Sequence, residues 1–313
     1  MRLRSERAGD LLEILKVLGD PVLPVYAIIA IGYLLGRRRI VSVPEARSLN
    51  RLALTLFLPL LIFGLINNTP ITAFDPVPVL AYLGAELVLF AAGIVVLRKM
   101  FGLGPGESAL VSFSGVFSNT VMLVLPISVL LYPPDQLLPI TAVVMLDSTL
   151  TFAGIIMALQ IIRLGHVTPL GVLTMVARSP LLIAISLGIA FNLLGVTIPH
   201  PVVTFIEFNG RAAPALALFA LGVVLSQTKI TLEMPVVIFT IVKCAVFPLT
   251  VWAGLALLAP ASPGAPLFVL ASAGPAGAMA FSLALLYDVK TDKITQIILV
   301  TNVLSLLSLS LLA

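Results

Sequence analysis

Apolar residues run through the chain in long blocks, and polar positions gather in short clusters between them. Ten blocks stand out, at about 21–37, 47–67, 77–98, 108–131, 137–162, 171–195, 201–226, 233–259, 265–287 and 292–312. Each approaches or exceeds the ~20 residues that an α-helix needs to span a hydrocarbon core of about 30 Å. The clusters between them hold the residues that end helices: Asn67 to Pro70, Tyr132 to Asp135, and Pro260 to Gly264. The pattern predicts an all-α integral membrane protein with ten transmembrane helices.

Composition strengthens this reading. Of 313 residues, 60% are hydrophobic and 10% charged, against roughly 25% charged in soluble domains; the mean hydropathy is +1.17. No polar stretch is long enough to form a soluble domain. Cys244 is the single cysteine, which excludes an internal disulfide framework and a cysteine-based metal site. His166 and His200 fall in separate loop-like stretches, so the chain offers no zinc site and no metal cofactor is expected. Residues 1–20 form an N-terminal extension in which Arg2, Arg4, Arg7 and Lys16 are balanced by Glu6, Asp10, Glu13 and Asp20. This extension lacks the layout of a cleaved signal peptide, and LLEILKVLGD is a candidate interfacial helix.

Charge sets an orientation. Arg37, Arg38, Arg39, Arg47 and Arg51 flank the first connection; Arg98 and Lys99 follow span 3; Arg163 and Arg178 bracket the connection after span 5; Lys229 follows span 7; Lys290 and Lys293 follow span 9. The connections after spans 2, 4, 6 and 8 hold no Lys or Arg. By the positive-inside rule the odd connections are cytoplasmic. The expected location is the plasma membrane, with many passes and both termini extracytoplasmic. This bias accounts for the net charge of +4 without nucleic-acid binding.

Five spans per half put 21–162 and 171–312 in opposite orientations, the 5+5 inverted repeat of many transporters. RLALTLFLPLLIFGL in span 2 and GRAAPALALFALGVVL in span 7 each carry an internal proline near a basic residue. Spans 5 and 10 each place polar groups mid-span, Asp147-Ser148-Thr149 and Thr301-Asn302. The alternative is that any two hydrophobic helices resemble each other.

Spans 4 and 9 carry the sharpest irregularities. Span 9 contains GPAGAMAFSLALLYD, where Pro275 lacks an N–H and Gly274 and Gly277 loosen the backbone on either side. Span 4 contains GVFSNTVMLVLPISVL, with Gly115, Ser118, Asn119, Thr120 and Pro126. Backbone that leaves the helix within a bilayer must be buried in protein or line a cavity. Two interrupted helices at matching positions of the two halves point to a transport site. Half-helix N-termini facing one point favour an anion. The substrate-binding candidates are therefore Ser118, Asn119, Thr120, Gly274, Pro275, Ala276 and Gly277, with Pro126 and Pro275 as the helix-breaking residues. A proline kink used only for packing is the plainer account of either span alone.

Ionisable residues inside spans are costly, and here they are Glu86, Asp147, Glu207, Arg211 and Lys243. Asp147, near Asn119, Ser148 and Thr149, is a candidate to carry a proton, to bind Na⁺ together with Asn119, or to accept hydrogen bonds from substrate; a structural role is equally open. Glu86 and Lys243 occupy equivalent spans of the two halves, which suggests an ion pair across the pseudo-twofold, either structural or acting as a protonation switch. With Asn302 these form the coupling or support-site candidates. Glu207 and Arg211, four residues apart, read as an interfacial pair, and Asp288 as a solvated charge.

These residues resemble the auxin efflux carrier family, prokaryotic relatives of the plant auxin carriers, within the wider group of bile acid:sodium symporters. The matching stretches are LNRLALTLFLPLLIF, FSNTVMLVLPI, PALALFALGVVL, KCAVFPL and the span 9 break. The resemblance implies a scaffold of spans 1, 2, 6 and 7 and a homodimer through helices 2 and 7. It also implies a transport domain of spans 3–5 and 8–10, with broken helices 4 and 9 crossing at the substrate and an elevator-type movement. It carries Asn119 over as a crossover-site residue and Pro126 and Pro275 as the breaking prolines. Two departures matter: Val121, Met122 and Val124 stand where glycines often follow the asparagine, and span 9 lacks the Glu and Gln of symporter Na⁺ sites.

The leading expectation is a secondary carrier for a small organic anion, a carboxylate or an auxin-like acid, with H⁺ or Na⁺ as a possible coupling ion. A sodium-coupled bile-acid-like symporter or a cation/proton antiporter of the same fold is the alternative. No nucleotide-binding loop is present. An intramembrane enzyme is disfavoured because Asp147 is the only mid-span aspartate and no histidine lies in a span, so the chain is read as a non-enzyme; a non-transporting receptor is the other remote alternative.

Overall fold

The structure is a computed structural model and describes residues 27–69, 71–125, 128, 132–133, 136–165, 174, 177–227 and 231–312. The N-terminal extension 1–20, Pro126, His166 and Lys229 lie outside the described residues. Those described are helical, with no β-strand beyond one isolated bridge. Five helices are each long and apolar enough to cross a membrane: α2 (Val43–Asn68), α3 (Pro76–Phe101), α5 (Leu138–Arg163), α7 (His200–Leu225) and α8 (Met234–Leu258). Two shorter apolar helices are α1 (Ala27–Arg37), which precedes α2, and α6 (Pro180–Leu194). The remainder are α4 (Pro105–Ser114), α9 (Ala265–Ala273), α10 (Met279–Leu286) and α11 (Asp292–Leu312).

The polar clusters between apolar runs set the helix ends. Ser42 and Glu45 form a reciprocal capping box at the start of α2, with the Ser42 N–H donating to Glu45 Oε2 at 2.7 Å. Asp75 caps α3 by accepting from the Val77 N–H at 3.1 Å. Gly102 ends α3 in the left-handed region, at φ +64. The apolar runs called as spans 4 and 9 are not continuous helices: α4 stops at Ser114, and α9 is separated from α10 by residues 274–278.

Helix packing forms two groups. In one, α6 and α7 lie along α2, and α1 meets α7 where a Cβ on Gly222 would run into the backbone of Ile29. In the other, α3 packs on α4 and α8, α9 on α5 and α8, and α11 on α4 and α8. The groups meet where α10 packs on α2 and α7. Aromatic packing in the second group centres on the buried Tyr82, whose ring meets Phe247 edge-on at 5.5 Å. Trp252, Leu257 and Phe208 point outward, exposed, as side chains facing lipid do.

Connections assigned to one side converge at one end of the bundle. Lys293, after the ninth apolar run, pairs with Glu107 at 3.0 Å and Glu233 at 3.3 Å, which follow the third and seventh runs. Arg47 pairs with Asp288 at 3.6 Å across the first and ninth connections. At the other end, the Asn192 side-chain amide donates to the carbonyls of Ile66, Asn67 and Thr69 at 2.7, 3.0 and 2.8 Å, joining the sixth run to the second connection.

Candidate functional site

The chain leaves the helix after Ser114 because Gly115 and Val116 form a turn, and it re-enters a helical, π-wound turn at Thr120–Val124. Between α9 and α10 it does the same around Pro275. The two extended stretches cross as a single antiparallel pairing of Ser118 with Ala276. The Asn119 N–H donates to the Pro275 carbonyl at 2.8 Å, and the Gly277 N–H to the Phe117 carbonyl at 2.9 Å. Each break thereby satisfies backbone groups of the other, which the interior of an apolar bundle requires.

Close approach explains Gly277. A Cβ there would lie 2.5 Å from the Phe117 ring and 3.2 Å from the Ser118 carbonyl oxygen. Pro275 has no N–H to leave unpaired, so its position in the crossing costs no donor. The Ala276 N–H donates to Thr301 Oγ1 at 3.1 Å, which anchors the crossing to α11.

Lys243 is fully buried and holds the crossing from behind. Its ammonium donates to Ser118 Oγ and to the Ser272 carbonyl, both at 2.7 Å, and lies 4.8 Å above the Phe247 ring. Ser272 is in the last turn of α9, the end where a helix dipole favours a cation. The ion pair expected between Lys243 and Glu86 is absent among the described residues, because the ammonium is spent on the crossing. Instead Glu86 Oε2 accepts from Thr151 Oγ1 at 2.8 Å. Asp147 Oδ2 accepts from Thr120 Oγ1 at 3.2 Å. The other oxygens, Glu86 Oε1 and Asp147 Oδ1, are buried with no hydrogen-bond partner among the described residues.

A small cavity of about 40 Å³ lies on the opposite side of the crossing. Ser118, Asn119, Thr120, Gly277 and Met279 line it from the two breaks, and Ser148 from α5. Leu61 of α2 and Leu218 of α7 close it on the side of the other helix group. The π turn at Thr120 and helix α10 both begin on this cavity. The first N–H groups of a helix have no partner within it, so two positive helix ends border the same space. Asn119 makes no side-chain hydrogen bond among the described residues, and its side chain reaches the cavity wall.

Of the sequence-predicted site residues, Ser118, Asn119, Thr120 and Gly277 therefore meet at one cavity. Gly274, Pro275 and Ala276 form the backbone of the crossing and do not line it. Asn302 donates to the Ile298 carbonyl at 2.7 Å along its own helix, while its neighbour Thr301 reaches the crossing. Glu207 and Arg211 pair at 3.9 Å on the exposed face of α7. Ser272, Thr151 and Thr301 are not among the sequence-predicted site residues; a hydroxyl within an apolar run is the sign each carries, and Thr301 stands out only as a mid-span polar group. Asp147 and Lys243 both lie in π-wound turns, Asp147–Thr151 and Val242–Val246, irregularities frequent at functional sites. Among the described residues no group of three or more His, Cys, Asp or Glu could hold a metal ion.

A sequence profile of the family described as membrane transport protein matches residues 17–168 and 166–313. No curated protein matches the chain. With the two matches together covering most of the chain, two broken helices that cross, and five membrane-length helices among the described residues, the chain belongs to the membrane transport protein family, that of the auxin efflux carriers.

Proposed function

We propose that this protein is a secondary carrier for a small organic anion, a carboxylate or an auxin-like acid, bound at the cavity on the crossing. One observation carries the reading: the Thr120 and Met279 helix starts border one cavity, while Lys243 occupies the carbonyl end of α9 behind it. The cavity is left with positive backbone ends and the unengaged Asn119 amide, a set that complements a carboxylate. Ten transmembrane helices in a 5+5 inverted repeat accommodate this arrangement, and the division of the profile match near residue 166 supports the two halves.

The carrier works as an elevator. The scaffold is α1, α2, α6 and α7, and the transport domain is α3–α5 with α8–α11. At about 40 Å³ the cavity admits a few waters at ~10–15 Å³ each. A carboxylate enters when α2 and α7 draw back from the crossing. The scaffold forms a homodimer through α2 and α7, and the odd connections face the cytoplasm. Buried Asp147 Oδ1 and Glu86 Oε1, each without a donor among the described residues, give H⁺ or Na⁺ a place in the cycle; that supports a coupled carrier as the second reading.

The test is a panel of carboxylates (pyruvate, malate, indole-3-acetate) scored by thermal stabilisation of the purified protein, since a ligand of the native state raises apparent stability. Binders are then followed in proteoliposomes under imposed Na⁺ or pH gradients. Flux that responds to neither gradient identifies a uniporter, and binding without flux identifies a receptor and overturns the carrier reading.

A further inference from the structure

A second polar cavity, of about 470 Å³, lies at the arginine-rich end of the bundle, away from the crossing. Arg47 and Arg51, one helical turn apart on α2, line it together with Arg163 in the last turn of α5. Leu285 and Leu286 of α10 form its apolar side, and Asn50 lines it from α2. Among the described residues no carboxylate lines this space. Asp288, which is exposed, meets Arg47 at 3.6 Å, while Arg51 and Arg163 have no acidic partner within 4.0 Å among the described residues. Glu45, on the same helix, is held by Ser42 in the capping box.

A charge bias between the two sides of a membrane puts arginines at helix ends. It does not require Arg51 and Arg163, from two separate helices, to share one cavity with no acidic partner within 4.0 Å among the described residues. The three side chains are exposed at this end of the bundle, and like charges gathered at one cleft repel one another and favour an anion between them. Guanidinium groups match oxyanions by two parallel hydrogen bonds. We propose that this cavity is a binding site for an oxyanion, a carboxylate or phosphate group held by Arg51 and Arg163 with help from Arg47. The group comes either from a small anion in solution or from the headgroup of an anionic lipid. The site stands independently of the transport reading, since it involves none of the residues at the crossing.

The experiment uses the full-length protein, delipidated in neutral detergent. Its thermal midpoint is followed while sodium phosphate or sodium succinate is added against sodium chloride at matched ionic strength. In a parallel arm, phosphatidylglycerol is added in mixed micelles against phosphatidylcholine. A rise with phosphate or succinate identifies a soluble oxyanion, and a rise with phosphatidylglycerol alone identifies a lipid headgroup; both support the site. In Arg51→Gln and Arg163→Gln the anion concentration for half-maximal stabilisation increases about tenfold per arginine removed. Arg98→Gln, which removes an exposed charge outside the cavity, leaves it unchanged. The double Arg51→Lys, Arg163→Lys variant keeps the charge and controls for folding. No anion-specific rise in the wild type, or an equal rise in the double glutamine variant, overturns the proposal. So does an equal loss in Arg98→Gln, because that reports overall charge and not a site.

Discussion

Lys243 Nζ lies 2.7 Å from Ser118 Oγ, joining α8 to the first broken helix, and the same ammonium reaches Ser272 on the second. One buried charge therefore fastens both halves of the crossing. Lys243→Met preserves volume but removes the donor to the Ser118 hydroxyl and leaves the Ser272 carbonyl only the longer 3.4 Å bond from Ser118 Oγ. A buried group left unsatisfied costs about 1–3 kcal/mol, so this variant should unfold at a lower temperature in detergent. Ser118→Ala removes one of the two acceptors and should produce a smaller loss. Equal midpoints for wild type and Lys243→Met would show that the lysine is not a fastening.

On the cavity side, Asn119 and Asp147 act at different removes. Asn119 lines the space itself, whereas Asp147 reaches it through Thr120. Asn119→Ala and Asp147→Asn should each lower flux by about tenfold or more, equivalent to losing a charge-assisted or neutral hydrogen bond, while leaving a folded protein by size-exclusion profile. Thr120→Val should reproduce the Asp147 effect in part. Wild-type flux in both Asn119→Ala and Asp147→Asn would remove the crossing as the substrate site.

Much of this architecture was readable from local signals. Apolar runs marked α2, α3, α5, α7 and α8 to within a few residues, because helix ends follow capping residues and prolines that are local in sequence. Pro275 and its flanking glycines marked the break in span 9 for the same reason. The partner of Lys243 was not readable. Position along a span says that a charge is buried, but not which of several neighbouring helices it faces, and the ammonium turned to Ser118, 125 residues away. The reciprocal bonds between Asn50 and Ser282 are separated by 232 residues and left no local trace. The π-wound turns at Asp147 and Lys243 shift which residues share a face, which a regular helical period does not anticipate.

Gly277 is the tightest point of the crossing on the cavity side. Gly277→Ala would push a methyl group against the Phe117 ring, with no slack in the paired backbone at Ser118. Overpacking of this kind costs about 1–3 kcal/mol and should lower both thermal stability and flux. Phe117→Leu in the same chain should recover part of each, because the clash is with the end of a side chain. Failure of Phe117→Leu to recover either quantity would locate the strain in the Ser118 backbone instead.

The contact between α2 and α10 offers a direct test of relative movement. Asn50 Nδ2 donates to the Ser282 carbonyl at 3.1 Å, and Ser282 Oγ donates to Asn50 Oδ1 at 2.8 Å, both residues being buried. Asn50 belongs to the helix group proposed as scaffold and Ser282 to the group proposed to move. In a chain whose single cysteine is first removed by Cys244→Ala, the pair Asn50→Cys and Ser282→Cys should cross-link under mild oxidation, since the two side chains face each other in direct contact and a disulfide tolerates Cα separations of about 4.4–6.8 Å. If the two groups slide past each other in every cycle, the cross-linked protein should lose flux and regain it on reduction. Flux that survives complete cross-linking would mean that α2 and α10 stay together throughout, and the elevator would have to be replaced by movement elsewhere in the fold.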